Sequence, residues 1–545
     1  MEKKKNDFIA QGSILAVASI LVRVMGMIYR IPMTAIIGDK GNGFYSYAYS
    51  VYTILLLLSS YSLPLAVSKM VSAKAQLGQW RNVKRVFICA IIFAIGIGTT
   101  FGLIVLVGAQ FFTKVFFHSE LAAIALRFMA PTILIMALLG VFRGFFQGLQ
   151  NTLPTAISQL IEGLINAIMS VVFAYFLFDF GHGMDVTNGT ADLGYAWGAA
   201  GGAIGTGAGA LAGLIFCFLL FAAYRKILAA NISRDKTETQ QDYKDIFRLM
   251  LSIAVPVILS TALYNLIELV DGSLFSNIMA SKGFGDVKDS IWGAYNAKAL
   301  LLVHIPVSIS SAMAVSLVPT LTAAYALGDE QTAKSKVNAI LRFISILAFP
   351  SAVGLFVLAN PIIKTLFASD TSSASTYLQV VCLAVITFSF STITNSILQG
   401  IDHMNLPVRH SLIAMAVHIV VLLILCLGFD MGIYGVIISY VIYALVITIL
   451  NFHSMSKLLE YRPDVMTLFI KPAVSSAVMG VICFGCYQLL HQFLGKAIPM
   501  LVSIVAAVIV YFVVAVKIKL LTESVMRDLP KGQKLVHIAK KCKLL

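Results

Sequence analysis

Fourteen long apolar segments follow one another along this 545-residue chain, and that succession leaves few folds open. A helix needs about 20 apolar residues to cross the hydrocarbon core of a bilayer. Inside lipid every backbone N–H and C=O must find its partner within the protein, so only helices and closed barrels span it. The approximate bounds of the segments are 8–37, 44–68, 86–111, 121–147, 155–179, 196–224, 248–278, 291–324, 337–360, 374–398, 409–428, 433–453, 469–490 and 498–517. The faintest are 196–224, rich in Gly and Ala, and 121–147, which carries Arg127 and Arg143. The expected fold is an all-α polytopic membrane protein of about 14 transmembrane helices.

Composition agrees. The chain is 59% hydrophobic and 12% charged, about half the charged share of a soluble protein. Met1-Glu2-Lys3-Lys4-Lys5 resembles the start of a signal peptide, but the apolar run behind it is too long and contains arginines, so it reads as a retained first span. Of the 40 Lys and Arg residues, only Lys40, Lys114, Lys282, Lys288, Lys364 and Lys496 fall in outer loops when Met1 is placed inside. Arg23, Arg30, Arg127 and Lys298 fall within spans, and the rest lie at inner ends, in the 225–247 linker and in the tail. The positive-inside rule therefore puts both termini in the cytoplasm. The net charge of +15 is accounted for by these ends meeting anionic lipid, and no nucleic acid is called for. Of the seven cysteines, six lie in apolar runs and Cys542 in the tail. Cys483 and Cys486 have C-x-x-C spacing in mid-helix, with no His or second pair nearby, and read as small buried hydrophobes.

The chain repeats itself weakly. Ala66-Val67-Ser68 recurs as Ala314-Val315-Ser316, Leu77-Gly78 as Leu327-Gly328, Gln147-Gly148 as Gln399-Gly400, and Leu153-Pro154 as Leu406-Pro407. The offset drifts slowly from 248 to 253 residues. Six spans separate the copies, so both have the same orientation: two pseudo-symmetric six-helix lobes plus two C-terminal helices, a transporter layout. The expected organisation is an N-terminal lobe over 1–224, a cytoplasmic linker over 225–247, a second lobe over 248–453, helices 13 and 14 within 454–517, and a basic tail over 518–545.

Ionisable residues inside spans are the candidate functional groups, because charge in hydrocarbon costs roughly 2.5–3.5 kcal/mol on insertion scales. Arg23 and Arg30, seven residues apart, share one helix face two turns apart. A guanidinium fork matches phosphate oxygens, so both are candidates for a pyrophosphate in a central cavity; the alternative is a structural pair with Glu162 or a helix end. Lys298 either snorkels to the outer surface or faces the cavity as a second cation. Arg127 reads as a snorkelling residue and Arg143 as an inner-surface anchor. Glu268 and Asp271, at i and i+3, either pair with cations or bind a coupling ion. Pro64, Pro256, Pro306 and Pro319 mark expected breaks in spans 2, 7 and 8.

Val22-Arg23-Val24-Met25-Gly26 with Arg30, then Ile36-Ile37-Gly38, resembles the first helix of the MurJ-type lipid II flippases. Tyr295-Asn296-Ala297-Lys298 through Ile305-Pro306 to Val318-Pro319-Thr320-Leu321 resembles their eighth, with Lys298 where that family has a functional cation, usually arginine. Gly41-Asn42-Gly43-Phe44-Tyr45 and Leu63-Pro64-Leu65-Ala66-Val67-Ser68-Lys69 resemble the stage V sporulation protein B branch. All belong to the multidrug/oligosaccharidyl-lipid/polysaccharide (MOP) exporter superfamily. The chain departs from the family in lacking a basic residue from Ser46 to Ser68. The resemblance implies a bacterial plasma-membrane flippase for an undecaprenyl-pyrophosphate-linked glycan, lipid II or a related precursor, working by alternating access. Its expected partners are that glycan lipid, membrane lipid and candidate cell-wall synthases, and it is expected to be a monomer. No cofactor or metal is expected beyond a coupling ion (Na+ or H+) or the membrane potential. The alternative is a multidrug cation antiporter of the same superfamily, which Glu268 and Asp271 permit but Arg23, Arg30 and Lys298 oppose. An enzyme is disfavoured: no D-x-D, G-x-x-x-x-G-K or H-E-x-x-H occurs, and no loop is long enough for a catalytic domain.

Overall fold

A computed structural model describes residue 18 and residues 21–541, apart from 238–239, 368–371, 496 and 529–531. Much of the first expected span, with Lys496, Lys531, Cys542 and Lys543, lies outside the described residues. All elements within them are helical. The chain forms two compact units, Met1–Ala297 and Lys298–Leu545.

In unit 1, residues 21–28 are helical and lead into α1 (Arg30–Leu56). A π-helical turn (Leu57–Tyr61) follows, then α2 (Leu63–Gln76), α3 (Trp80–Phe117), α4 (Ala122–Gly148), α5 (Leu153–Asn188), α6 (Leu193–Ser233), α7 (Tyr243–Ser281) and α8 (Gly285–Ala294). A second π-helical turn, Tyr295–Leu300, crosses into unit 2. There α9 (Leu301–Ala326), α10 (Glu330–Val357), α11 (Ala359–Leu366), α12 (Ser372–Val381), α13 (Leu383–Gly400), α14 (Asn405–Leu423), α15 (Ile433–Leu458), α16 (Lys471–His491) and α17 (Ala497–Lys517) precede two short tail helices. Among the described residues ten helices are long and apolar enough to cross a membrane, or eleven with the pair α12 and α13, bent by 41°. Helices α7 and α9 stand at the seventh and eighth expected spans. Gly38, at φ 61°, divides the helical stretch from residue 21 onward into the end of span 1 and the start of span 2. About fourteen spans result, as the apolar runs predict.

The repeat is visible in packing and in backbone. In unit 1, α2 packs on α3 and α4, α4 on α3 and α6, and α5 on α6; in unit 2, α9 packs on α10 and α13, α13 on α10 and α15, and α14 on α15. These are the same pairings six spans apart. Gly78 and Gly328 end α2 and α9 with left-handed φ of 70° and 71°. The caps match: Gly78 N–H donates to Ala75 O and Gln79 N–H to Lys74 O, while Gly328 and Asp329 donate to Tyr325 O and Ala324 O. Such paired bonds satisfy the last carbonyls of a helix, and glycine adopts the φ they require at no steric cost. Gln150 and Asp402, also left-handed, follow α4 and α13 in the same way. Gly148 lies where a Cβ would come within 2.8 Å of Ser68 O, and Gly400 where it would come within 2.6 Å of Val318. Each recurring Gln-Gly thus lets span 4 or 10 close on span 2 or 8.

The glycines that make 196–224 a faint span are the reason it packs. At Gly201 a Cβ would stand 2.4 Å from the Phe173 carbonyl, and at Gly205 2.2 Å from Ser170 Oγ. Gly209 meets Glu162 O at 2.5 Å. Small residues let two backbones approach closely, and in lipid such van der Waals packing replaces the hydrophobic effect as the force that joins helices. In unit 2 a buried polar network does related work: Asn451 donates to Thr394 Oγ1 (2.9 Å) and Asn395 Oδ1 (2.8 Å) and meets His410 Nδ1 at 2.6 Å, tying α13, α14 and α15.

Helices α7 and α8 belong to unit 1. Tyr47 stacks on Phe117 (4.5 Å) and Trp292 (6.0 Å), and Trp292 on Phe275 (5.7 Å). Asn277 Nδ2 donates to Phe116 O at 2.7 Å, and Ser276 Oγ to Phe117 O. At the other end of α7 the linker is docked. Asp235 accepts from Arg81 N (2.7 Å) at the start of α3, Gln241 N donates to Asn82 Oδ1 (3.0 Å), and Arg85 donates to Gln241 O (2.6 Å) while lying over the Tyr243 ring.

Gly205→Val forces the α5 and α6 backbones apart, and an overpacking cost of roughly 1–3 kcal/mol or more is expected. The melting temperature of the purified protein should fall, whereas Gly183→Ala, with open space around it, should leave it unchanged. At Asp235 burial opposes the charge, but hydrogen bonds from Arg81 N–H and Thr237 outweigh it and hold the carboxyl below its ordinary value. Its contribution is present above the unfolded value of about 3.9 and is lost as pH falls through the lower folded one. Asp235→Ala should therefore speed limited proteolysis of the linker at pH 7, and the wild-type linker should stay protected down to about pH 4.

Candidate functional site

The helical segment before Gly38 packs by one stripe. Val22 and Met25 lie against Gly163 of α5, Met33 against Gly202 and Ile37 against Gly198, both of α6. Their spacing of three, eight and four residues is that of a single helix face. Arg23 and Arg30 share an adjoining face. Arg23 is exposed, while Arg30 is half-buried and lines a cavity with Tyr45, Ser46, Tyr49, Ser50, Glu268, Trp292 and Asn296. All of these residues belong to unit 1.

Three elements build the cavity wall. Helix α1 supplies Arg30 and, beyond the Gly38 break, the pairs Tyr45–Tyr49 and Ser46–Ser50, each one helical turn apart. The Tyr45 and Tyr49 rings stack at 5.7 Å, and the Tyr45 hydroxyl lies 3.5 Å from Thr206 Oγ1 on α6. Helix α7 supplies Glu268, and α8 with the turn after it supplies Trp292 and Asn296. Room inside is about 10 Å³, no more than one water occupies. A guanidinium, a carboxylate, hydroxyls and one carboxamide thus converge on a nearly closed space. Arg30 and hydroxyl or amide donors can hold phosphate oxygens; Glu268 supplies the opposing charge.

Asp271, one turn beyond Glu268, is buried and does not line the cavity. Lys298 is fully buried in the π-helical turn that opens unit 2, which excludes snorkelling to the outer surface. Single π turns inside helices often mark functional sites. Arg127 is exposed near the start of α4, in keeping with a snorkelling role. Arg143 is not a surface anchor: it is buried, donates from Nε to Ser158 Oγ (2.8 Å) and pairs with Glu162 at 2.7 Å. Glu162 is therefore a partner of Arg143. Lys288, expected in an outer loop, is buried, pairs with Asp289 at 2.5 Å and lies over the Tyr47 ring. The tyrosines, serines and Asn296 of the cavity are functional candidates that reasoning from charge alone misses. The signal for the first four is the polar stripe Tyr45-Ser46 and Tyr49-Ser50 in an otherwise apolar run.

Unit 2 carries a different feature. An apolar groove of about 430 Å³ lies among α9, α10, α16 and α17, with Ile305, Pro306, Pro350, Met479 and Val508 among its walls. Cys483 in it is buried and unoxidised, Cys486 half-buried.

Comparison with known proteins fits this architecture. The family model described as polysaccharide biosynthesis protein matches residues 8–325, and the MatE model residues 256–424. Stage V sporulation protein B of Bacillus subtilis (strain 168) is 23% identical over 535 residues, spanning 96% of this chain and 98% of its own length. Lipid II flippase MurJ of the same strain is 25% identical over 421 residues, 75% of each protein. The solved structure of a lipid II flippase MurJ in an inward closed conformation superposes with a TM-score of 0.65 at 15% identity, covering 92% of this chain and 97% of that one. An inward-facing multidrug resistance MATE family transporter gives 0.64 at 15% identity, covering 81% and 98%. The chain is a multi-pass membrane protein that belongs to the polysaccharide biosynthesis protein family.

Proposed function

We propose that this protein is a flippase that carries an undecaprenyl-pyrophosphate-linked glycan, lipid II or a related cell-wall or spore-wall precursor, from the inner to the outer leaflet of a bacterial plasma membrane. The observation that carries the reading is Arg30: a permanent cation in a span, facing a small cavity ringed by hydrogen-bond donors. Pyrophosphate suits such a site, because guanidinium forks and hydroxyls complement its oxygens. A polyprenyl chain suits an apolar groove like that of unit 2, whose walls carry no charge. Arg23 and Lys298 are further candidate contacts for the anion. The cavity is too small for a diphosphate as it stands, so loading requires the helices around it to move, as alternating access demands. The step is translocation without covalent change, with both termini on the cytoplasmic side. It draws on a coupling ion, Na+ or H+, or on the membrane potential, with Glu268 and Asp271 as the acidic residues available to bind such an ion.

A second reading has two observations in its favour. The MatE model covers α7 to α14, and Glu268 lies in the cavity, so a cationic drug is a conceivable cargo. Arg30 on the same wall repels such a cargo.

Purified protein should bind an undecaprenyl-pyrophosphate glycan saturably. Arg30→Ala should weaken binding tenfold or more, about 1.4 kcal/mol. Binding indifferent to Arg30, with saturable binding of a lipophilic cation lost in Glu268→Gln, would overturn the flippase reading in favour of the antiporter.

A further inference from the structure

The cavity around Arg30 contains its own anion. Glu268 of α7 lines the same small space as Arg30, Tyr45, Tyr49 and Asn296. The closed space has room for about one water, so the Glu268 carboxylate is the anion that shares it with the guanidinium, and a diphosphate enters only when the helices part. A charge taken out of water is tolerable only when it is answered, and Glu268 is the acidic side chain on that wall. Asp271, one turn along, carries the same charge but does not reach the cavity. From this arrangement, and resting on the reading of Arg30 as a diphosphate site, we infer that Glu268 is a stand-in for the substrate: it occupies the Arg30 site when the cavity is closed and is displaced when a diphosphate enters.

The consequence concerns affinity and motion together. Each diphosphate that binds must first displace the Glu268 carboxylate from the space beside Arg30, so Glu268 lowers affinity for the anion. It also removes the standing penalty of an unanswered arginine in the empty protein. The carboxylate returns when the anion leaves, which favours release over re-binding. A residue with this role sets how tightly the cargo is held; it does not position the arginine for it. The two roles predict opposite signs for its neutralisation.

The test is a double-mutant cycle read as retention of undecaprenyl diphosphate by the purified full-length protein in detergent, with wild type, Glu268→Gln, Arg30→Ala and the double variant. Displacement predicts that Glu268→Gln tightens binding fivefold or more, and that the same change does nothing in the Arg30→Ala background, because competition for Arg30 no longer exists. Asp271→Asn serves as the control for long-range charge. A tightening equal to that of Glu268→Gln would assign the effect to the general field and overturn the inference. Weaker binding in Glu268→Gln would make Glu268 a positioning residue and overturn it as well. Should Glu268→Gln not be recovered monodisperse, Glu268→Asp, which draws the charge back by one methylene, is expected to tighten binding to a lesser degree, and unchanged binding there counts against displacement. Failure of the underlying reading looks different: wild type and Glu268→Gln alike bind no diphosphate, or bind it equally with and without Arg30.

Discussion

A guanidinium held within a segment that crosses hydrocarbon is the constraint around which unit 1 is arranged. Arg30 cannot lose its charge, and lipid offers it nothing, so the protein around it must supply both shape and counter-charge. Shape comes from glycine. Gly163, Gly198 and Gly202 of α5 and α6 accept Val22, Met25, Met33 and Ile37, which fixes the rotation of the first helix and turns the arginine away from that interface. Counter-charge comes from α7, whose Glu268 faces the same cavity. The aromatic stack of Tyr47, Phe117, Phe275 and Trp292 holds α7 and α8 in unit 1, so the carboxylate is presented by a supported helix.

The same economy recurs at Arg143. There the partners are complete: Ser158 and Glu162 take its donors at 2.8 and 2.7 Å, and the group is buried. A buried, closed ion pair between α4 and α5 is a structural element, and opening it would leave two charges in a poor solvent. Arg30 differs because its surroundings are a cavity wall and not a filled contact. The distinction between an intramembrane arginine in a filled contact and one on a cavity wall is thus geometric. It depends on whether space remains beside the guanidinium, which residue type and spacing do not encode.

That difference marks how far the sequence is informative. Span count and order follow from apolar length alone, and the helices outrun those lengths because the backbone stays helical into water, as where 86–111 becomes Trp80–Phe117. The repeat is legible at the four short matches because they sit where geometry is strict: the left-handed caps at Gly78 and Gly328 and the close approaches at Gly148 and Gly400. Side-chain environment is not legible in that way. Lys288 reads as an outer-loop lysine and is buried beneath Tyr47; Arg143 reads as an anchor and is an internal pair. Asn296 carries no signal at all, since only the fold brings it to Arg30.

Glycine content illustrates why a faint signal can mark a central element. Hydropathy scores a Gly/Ala-rich span poorly because glycine adds no apolar surface. Packing in lipid rewards it for the same absence, since helix association there depends on how near two backbones come and on the dispersion attraction between them. Helix α6 is rich in glycine, and α5 and α4 both pack against it. It also accepts the first helix, and through Thr206 it touches Tyr45 on the cavity wall. The residues that weaken its reading as a span are therefore the ones that set the rotation of the helix carrying Arg30. A change at Gly198, which would meet only Ile37 and Phe178, would reach the cavity without contacting any group in it.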